Sequence, residues 1–503
     1  MQDSNYQSLW LLPVLLAGMW AGDYFAALSP LEQFLGIAAI VLLSVLAGLW
    51  LFNQYSTWGR ERKKRLERIH ETPHELLRKT ANSVVMGQDE KLGVQVVLPD
   101  HVRTRHVHIL GATGSGKTES VILNFIRQDV SRGIGCIILD AKGDRSFLRA
   151  LKDYVPEDRL FVFDLGEGTS APYNPLSAGS PLEAAQRLFS SLTWSEEYYK
   201  SKALSALQKL FQTHYEINER NPNLHDLTKY LETPESYSAF VMSDDFPQSL
   251  ALKEFQDLSG LRDQIRSLTM GHLGAILSSG ATDGIQLSDA TNGAVIYFRL
   301  QSLMSPQIVA TVGRLVINHL NFLAGTAHRG REAANAKQSE LVPVYLDEFA
   351  TFACAEFADL ISKARSAGFA LHFSHQSIGD LTEVSPGFLN RITDNAATKI
   401  ILRINDPDSA EYFARSFGTR LIQKTTQRIT NTKDIEAAEI VGEGTTREAH
   451  QFRASPDMFK TLPTGVGAVL IAHGRDTPHG ASSVFRVRFP EIERLPICPD
   501  VSN

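Results

Sequence analysis

Apolar and polar positions follow two regimes along this chain. Near the amino terminus the apolar runs are long. Leu9 to Gly22 carries no charge, the apolar character resumes after Asp23 through Tyr24 to Leu28, and Phe34 to Phe52 is nineteen residues without a charge. A helix of about 20 apolar residues crosses the hydrocarbon core of a bilayer. The pattern therefore predicts two membrane-spanning helices, at about 9–28 and 34–52, joined by the short external turn Ser29-Pro30-Leu31-Glu32-Gln33.

From about Leu92 the runs shorten to strand length. Val94 to Leu98, His106 to Leu110, Gly135 to Asp140 and Leu160 to Leu165 are strand candidates, with a helix over Ser146 to Tyr154 between the last two. Continuous short apolar runs alternating with helices are what parallel strands buried on both faces look like, so a right-handed, mostly parallel sheet is expected. Pro172-Tyr173-Asn174-Pro175-Leu176 breaks this pattern, and strand signals nearly vanish from Pro181 to Asp289. Helical spacing replaces them over Leu182–Leu192, Lys202–Ile217, Leu224–Leu231 and Leu261–Ile276. The sheet resumes at Gly293–Leu300, followed by a helix from Pro306 to about Leu323 and an exposed loop over Ala324–Ser339. Strands at Leu341–Asp347 and Phe369–Gln376 come next, and Gly418–His450 is a loop or β-hairpin candidate.

The division is thus a membrane segment at 1–59, a linker at 60–91, an α/β domain in two parts at 92–180 and 290–503, and an all-α insertion at 181–289.

Charge orients the first segment. No Lys or Arg precedes Arg60, which argues against a cleaved signal peptide, and Arg60-Glu61-Arg62-Lys63-Lys64-Arg65-Leu66-Glu67-Arg68 follows the second span. Basic flanks mark the cytoplasmic side, so both termini and the bulk of the chain are expected in the cytoplasm; the run also suits anionic lipid headgroups. The net charge of −6, with no long block of one sign, excludes a generally basic protein that coats nucleic acid. Three widely separated cysteines (Cys136, Cys354, Cys498) give neither a disulfide framework nor a zinc site.

Chemistry enters at Gly111-Ala112-Thr113-Gly114-Ser115-Gly116-Lys117-Thr118, which sits between a strand and a helical pattern. The glycines let successive N–H groups turn inward around a phosphate, and the helix N-terminus adds positive potential. Lys117 would neutralise the β- and γ-phosphates of a nucleotide, and the Thr118 hydroxyl would ligate Mg²⁺. A second apolar strand ends in Asp347-Glu348, where Asp347 would hold Mg²⁺ and Glu348 would polarise the attacking water. Gln376 ends another strand and could report nucleotide state. Arg365 falls at a surface helix end from which a neighbouring subunit's nucleotide could be reached. His372 and His375 lack a third ligand and read as ordinary strand residues.

Taken together these motifs resemble the type IV secretion coupling proteins, the TraG/TraD-like membrane-anchored ATPases of bacterial conjugation. The resemblance rests on the two-span hairpin, the glycine-rich loop at 111–118 and Asp-Ala-Lys-Gly-Asp at 140–144. It continues through Asn-Pro-Leu at 174–176, Leu-Asp-Glu-Phe-Ala at 346–350, Ala-Arg-Ser-Ala-Gly at 364–368 through Gln376, and Ser455 to Gly465. It implies a RecA-like P-loop domain with an inserted all-α domain, assembled as a ring hexamer in the inner membrane, with ATP and Mg²⁺ between subunits. The implied partners are relaxase-bound DNA and the inner-membrane channel proteins, with DNA-stimulated ATP hydrolysis driving transfer. Carried over, Lys117, Glu348, Gln376 and a trans-acting Arg365 are the catalytic set, with the inserted helices facing the substrate. Two alternatives stand beside this: a coupling ATPase dedicated to effector proteins or an FtsK/HerA-like DNA translocase, and a membrane scaffold that binds nucleotide without turnover.

Overall fold

Seven parallel strands form the centre of the protein, because their apolar runs can only be satisfied by burial on both faces. In the computed structural model the described residues are 29, 31, 42–51, 54, 59, 62, 63, 72, 74–166, 169–241, 248–278, 284–302, 305–334, 341–426, 445–472 and 482–490. The strands are β1 (Ser83–Asp89), β2 (Gln95–Pro99), β3 (Val107–Leu110), β4 (Cys136–Asp140), β5 (Leu160–Asp164), β6 (Val295–Arg299) and β7 (Val342–Asp347). They continue with β8 (Phe369–His375), β9 (Thr398–Ile401), β10 (Thr419–Thr426), β11 (Thr445–Phe452), β12 (Val466–Ala472) and β13 (Ser482–Arg488). Eleven of them make one sheet in the order β2-β1-β13-β12-β9-β3-β8-β7-β4-β6-β5.

From β9 to β5 every neighbouring pair is parallel, whereas β12, β13, β1 and β2 join antiparallel. The expected mostly parallel sheet is therefore a mixed one. Within that antiparallel edge, β1–β2 and β12–β13 are pairs joined by short connections, which suffice for antiparallel neighbours but not for parallel crossovers, while β1–β13 and β9–β12 join distant parts of the chain. The edge recruits β1 from the stretch read as a linker, where a bulge between Val85 and Gly87 disguises the alternation.

Between β5 and β6 run the helices Pro181–Ser191, Glu197–Asn218, Leu224–Tyr230, Pro234–Val241, Gln248–Asp257, Ser259–Thr269 and Gly271–Leu277. Their starts follow from capping chemistry. Ser180 accepts from the Glu183 N–H while the Glu183 carboxylate reaches back, and Asn223 and Asp226 repeat that reciprocal pair. The single helix expected over Leu261–Ile276 is two, because Met270 is extended and Gly271 takes a left-handed φ of 56°. In contrast, the helix from Pro306 runs on to Ala334 through residues expected as loop. Its composition there (His-Arg-Gly-Arg-Glu-Ala-Ala) is rich in helix formers. This long helix packs against the helices Pro181–Ser191 and Ala355–Lys363 and the turn Phe349–Phe352; Gly313 lies so close to Phe352 that a Cβ would fall 2.6 Å from its ring.

Residues 1–71 and 72–503 are separate compact units. Of the two expected membrane spans, 9–28 lies outside the described residues, and only Leu42–Leu51 of the second is described, as a short exposed apolar helix. Among the described residues one helical stretch is long and apolar enough to cross a bilayer, Pro306–Arg329, and more than half of it is buried against the α/β body. The described residues thus do not support a multi-pass arrangement.

Candidate nucleotide-binding site

The carboxyl ends of β3, β8, β7 and β4 lie side by side, with Leu110 opposite His375, Leu346 opposite Phe373 and Asp140 opposite Asp347. In α/β sheets ligands bind outside these ends. One strand, β8, separates β3 from β7, so the residue after β8 falls between the glycine-rich loop and the Asp-Glu pair.

The loop leaves β3 with its backbone tied on both sides. Gly111 N–H donates to the His375 carbonyl and Ala112 N–H to that of Arg403. Gly111 admits no side chain, since a Cβ would meet Ser115 Oγ at 2.5 Å and Leu402 Cβ at 2.9 Å. Gly114 and Gly116 take φ of 72° and 97°, which favours glycine. The chain then enters one wide helical turn, Lys117–Ile122, that continues as the helix Leu123–Ser131. Ser115 Oγ is buried and, among the described residues, without a hydrogen-bond partner.

Lys117 is 5% exposed and its Nζ donates to the Gly111 carbonyl at 2.6 Å. Burial depresses its pKa, against the pull of the nearby Glu348 and Asp347 carboxylates. Thr118 Oγ1 donates to Asp347 Oδ2 at 2.6 Å. The other Asp347 oxygen accepts from the Ser374 hydroxyl and from Glu348 N–H. Glu348 itself holds a left-handed φ of 50°. Such a backbone costs a non-glycine residue energy and is found where the surroundings impose it. Gln376 donates from Nε2 to both Glu348 oxygens, at 3.2 and 3.1 Å, and accepts from Thr113 Oγ1 at 3.0 Å. One side chain therefore bridges the loop and the carboxylate.

The cleft lined by the loop, Lys117, Thr118, Asp140, Asp347 and Glu348 measures about 840 Å³, counting its part open to solvent. Its residues suit a nucleoside triphosphate with a divalent cation. The loop curves around a helix N-terminus with an unpartnered hydroxyl inside it, a buried cation lies at its centre, and a carboxylate meets the threonine hydroxyl.

Lys117, Thr118, Asp347, Glu348 and Gln376 are thus brought together. Arg365 is not. It lies exposed in the turn Ala364–Ala367 beside Arg105 and His106, at the amino ends of β3 and β8. The length of β8, about 20 Å at 3.3 Å per residue, separates it from the loop of its own chain.

Three contributors carry no site role in the sequence reading, although 140–144 and Ser455–Gly465 stand among its resembling motifs. Asp140 accepts from the N–H groups of Lys142, Gly143 and Asp144 and from Tyr297 OH at 2.8 Å. Burial, and then the Asp347 charge beside it, push its carboxyl up to about 6. Its signal was present, since β4 ends in Asp as β7 does. Ser374 carried no local signal. The third is the segment after Lys460: Gly465 N–H donates to the Ser115 carbonyl at 3.1 Å and Thr464 Oγ1 to that of Gly114 at 3.3 Å. That wall comes from residues some 350 positions away.

Under the site lies a buried charge network. Arg103, fully buried, grips Asp129 with two nitrogens at 2.8 and 2.7 Å and reaches His372. Tyr345 OH also donates to Asp129. The network ties the helix after the loop to β7 and β8.

Two family models match the chain. Residues 92–232 match the type IV secretion-system coupling protein DNA-binding domain, and residues 342–456 match the TraM recognition site of TraD and TraG. Type 4 coupling protein DotL of Legionella pneumophila (strain Philadelphia 1) is 22% identical over 410 residues, which are 67% of this chain and 52% of that protein. The chain therefore spans about half the length of that curated relative. Among solved structures, the conjugative coupling protein TrwB lacking its first 70 residues superposes with a TM-score of 0.60 at 16% identity, over 82% of this chain and 90% of that one. TrwB in complex with ADP and Mg²⁺ gives 0.58 at 15% identity, over 83% and 91%. VirB4 of Thermoanaerobacter pseudethanolicus gives 0.53 at 15% identity, over 82% and 97%. The solved structures share the α/β fold, and the two matched models together cover about half of the chain. The chain belongs to the type IV secretion coupling-protein family.

Proposed function

We propose that this chain is the ATPase of a type IV secretion or conjugation system, recruiting relaxase-bound DNA to the channel and using ATP hydrolysis to drive its transfer. The observation that carries the reading is the convergence of Lys117, Thr118, Asp347, Glu348 and Gln376 on one cleft. A scaffold that only binds nucleotide has no need of a carboxylate positioned by a neighbouring glutamine. The DNA-binding description of the matched amino-terminal model, and the TraM recognition described for the second, favour a DNA–relaxosome cargo.

ATP, with Mg²⁺ held by Thr118 and Asp347, supplies a phosphoanhydride bond whose cleavage can be coupled to movement. Lys117 Nζ would exchange its Gly111 carbonyl partner for phosphate oxygens. Ser374 holds the Asp347 carboxylate through its hydroxyl beside Thr118, where the two side chains would hold Mg²⁺. Glu348 orients a water and takes its proton on a carboxylate oxygen, while Gln376 keeps that carboxylate turned toward the loop. Thr464 and Gly465 brace the loop by donating to the Gly114 and Ser115 carbonyls. Arg365 is too far from its own loop to act there, so we assign it to the nucleotide of the next subunit in a ring hexamer. Such a finger is worth on the order of 10³–10⁵ in rate where it operates. The apolar segments before Arg60 would anchor the ring in the inner membrane, against lipid and the channel proteins, with the basic run 60–68 on the cytoplasmic side.

The test is phosphate release by the full chain, with and without DNA. Turnover should rise with DNA, vanish in Lys117→Ala, and fall in Glu348→Gln while nucleotide binding persists. Equal turnover in Glu348→Gln and wild type would remove hydrolysis from the reading. Normal basal turnover without stimulation by single- or double-stranded DNA would remove DNA as the cargo.

A further inference from the structure

The hairpin β10–β11 takes no part in the nucleotide site. It pairs in one register from Thr419 opposite Phe452 to Thr426 opposite Thr445, forming its own two-stranded sheet outside the main one. Side chains alternate between faces along a strand, and directly opposed residues share a face. Arg420, Ile422 and Lys424 therefore lie on one face with their partners Gln451, Ala449 and Arg447. Leu421 and Gln423 lie on the other with His450 and Glu448. All three cations are on one face, and the one described acid of the ribbon is on the opposite face.

The charges are not neutralised within the described protein. Arg420, Lys424 and Arg447 are exposed, and among the described residues none of them forms an ion pair. Lys424 and Arg447 stand directly opposite each other, an arrangement that destabilises an isolated ribbon. At the base, Arg453 is half-buried, donating to Ser482; its guanidinium is held below its usual range by burial and by the nearby Arg420 charge. A face built this way is stabilised when anions cover it.

We infer that the Arg420–Lys424–Arg447 face of this ribbon is a nucleic-acid contact that grips the phosphate backbone without reading sequence. Arg420 and Lys424 are four residues apart, about 13 Å along the strand. That length faces several phosphates, spaced about 3.4 Å along each strand of a duplex. A two-stranded ribbon also fits the major groove. The exposed aromatic of the hairpin, Phe452, lies on the opposite face, so base stacking is not the mode. An acidic polypeptide could meet the same cations. The regular spacing of phosphates favours nucleic acid, and the choice of this ligand rests on the coupling reading above. The ribbon is joined to the nucleotide site by a short path. Arg453 follows β11, the helix Pro456–Lys460 comes next, and Thr464 and Gly465 touch the loop.

The experiment measures binding of the full chain to fluorescent 30-nucleotide single strands and duplexes of two unrelated sequences, over a KCl series. The variant Arg420→Gln/Lys424→Gln/Arg447→Gln should weaken binding to both sequences alike and lower the log–log salt slope by about 2 for single strands and about 3 for duplex. ATP binding should be unchanged. A Lys424→Arg/Arg447→Lys variant, which keeps the charge, should retain the wild-type slope. A triple variant that binds DNA with the wild-type slope overturns the inference and leaves the coupling reading standing. So does a variant that loses only poly-glutamate binding, which would assign the face to an acidic protein. A wild type that binds no DNA overturns the inference and the DNA cargo together.

Discussion

Acidification from pH 7.5 to 5 should cost this protein stability through histidines that its core accepts only in neutral form. His106 and His319 are buried, and burial lowers their pKa values to about 4 and about 3. At His106 burial prevails over a hydrogen bond to the Ile361 backbone, which pulls its pKa the other way. The His106 Nδ1 accepts from Leu371 N–H at 3.2 Å, so a proton arriving there would face another proton. In the unfolded chain histidine takes up its proton near pH 6.5. The folded pKa is depressed, so the stabilising contribution is fully present above 6.5 and is lost as pH falls through the window from 6.5 toward 4 and 3. At pH 5 each of the two sites should have lost about 2 kcal/mol, about 4 together, against a net stability on the order of 5–15 kcal/mol. His108, His372 and His375 are depressed by burial too and add to the same trend. Urea unfolding followed by tryptophan fluorescence at pH 7.5, 6 and 5 measures the loss. The variant His106→Asn isolates one site: asparagine tolerates the left-handed φ of 68° found there and carries an oxygen to accept from Leu371. It should show about 2 kcal/mol less acid-dependent loss than wild type. An identical loss in both proteins would refute the reasoning.

Three further outcomes are expected. Mixing Arg365→Ala subunits with Lys117→Ala subunits should restore part of the ATPase activity that each lacks alone, because the turn bearing Arg365 and the loop bearing Lys117 lie at opposite ends of the parallel strands; no recovery at any ratio would make Arg365 a structural residue. Removing the buried cation, in Arg103→Met, should lower stability by about 3 kcal/mol or less, because the buried Asp129 loses its two-nitrogen partner but keeps Arg132 at 2.7 Å, seen as a drop in Tm. In Gly313→Ala the added methyl meets the Phe352 ring, and about 1–3 kcal/mol should be lost in denaturant titrations without a change in nucleotide affinity.

Much of the parallel core and the loop at 111–118 could be read from the sequence because both are local: a strand, a glycine-rich turn and a helix in succession. Asp347-Glu348 was legible for the same reason. Gln376 was marked by its place at a strand end, although its two-sided bridge between Thr113 and Glu348 depends on β8 inserting between β3 and β7, which no local pattern encodes. Asp140 was passed over as a site residue because a strand ending in Asp is common; its meaning comes from its register partner Asp347. The antiparallel edge stayed hidden for a related reason. β1 is interrupted by its bulge, and its partner β13 is some 400 residues away in the chain. Thr464 and Gly465 acquire a role only by contact across a similar distance.

That last contact has a consequence for biosynthesis. A ribosome delivers the glycine-rich loop early and its wall late. The nascent chain carries a site missing one side until Gly465 has left the exit tunnel. Over the same interval the free edge of β9 awaits β12, and β1 awaits β13. Unpaired edges of this kind invite pairing with other chains. The last bracing contact of the loop and the closing of these edges thus come together, when β12 and β13 join the sheet.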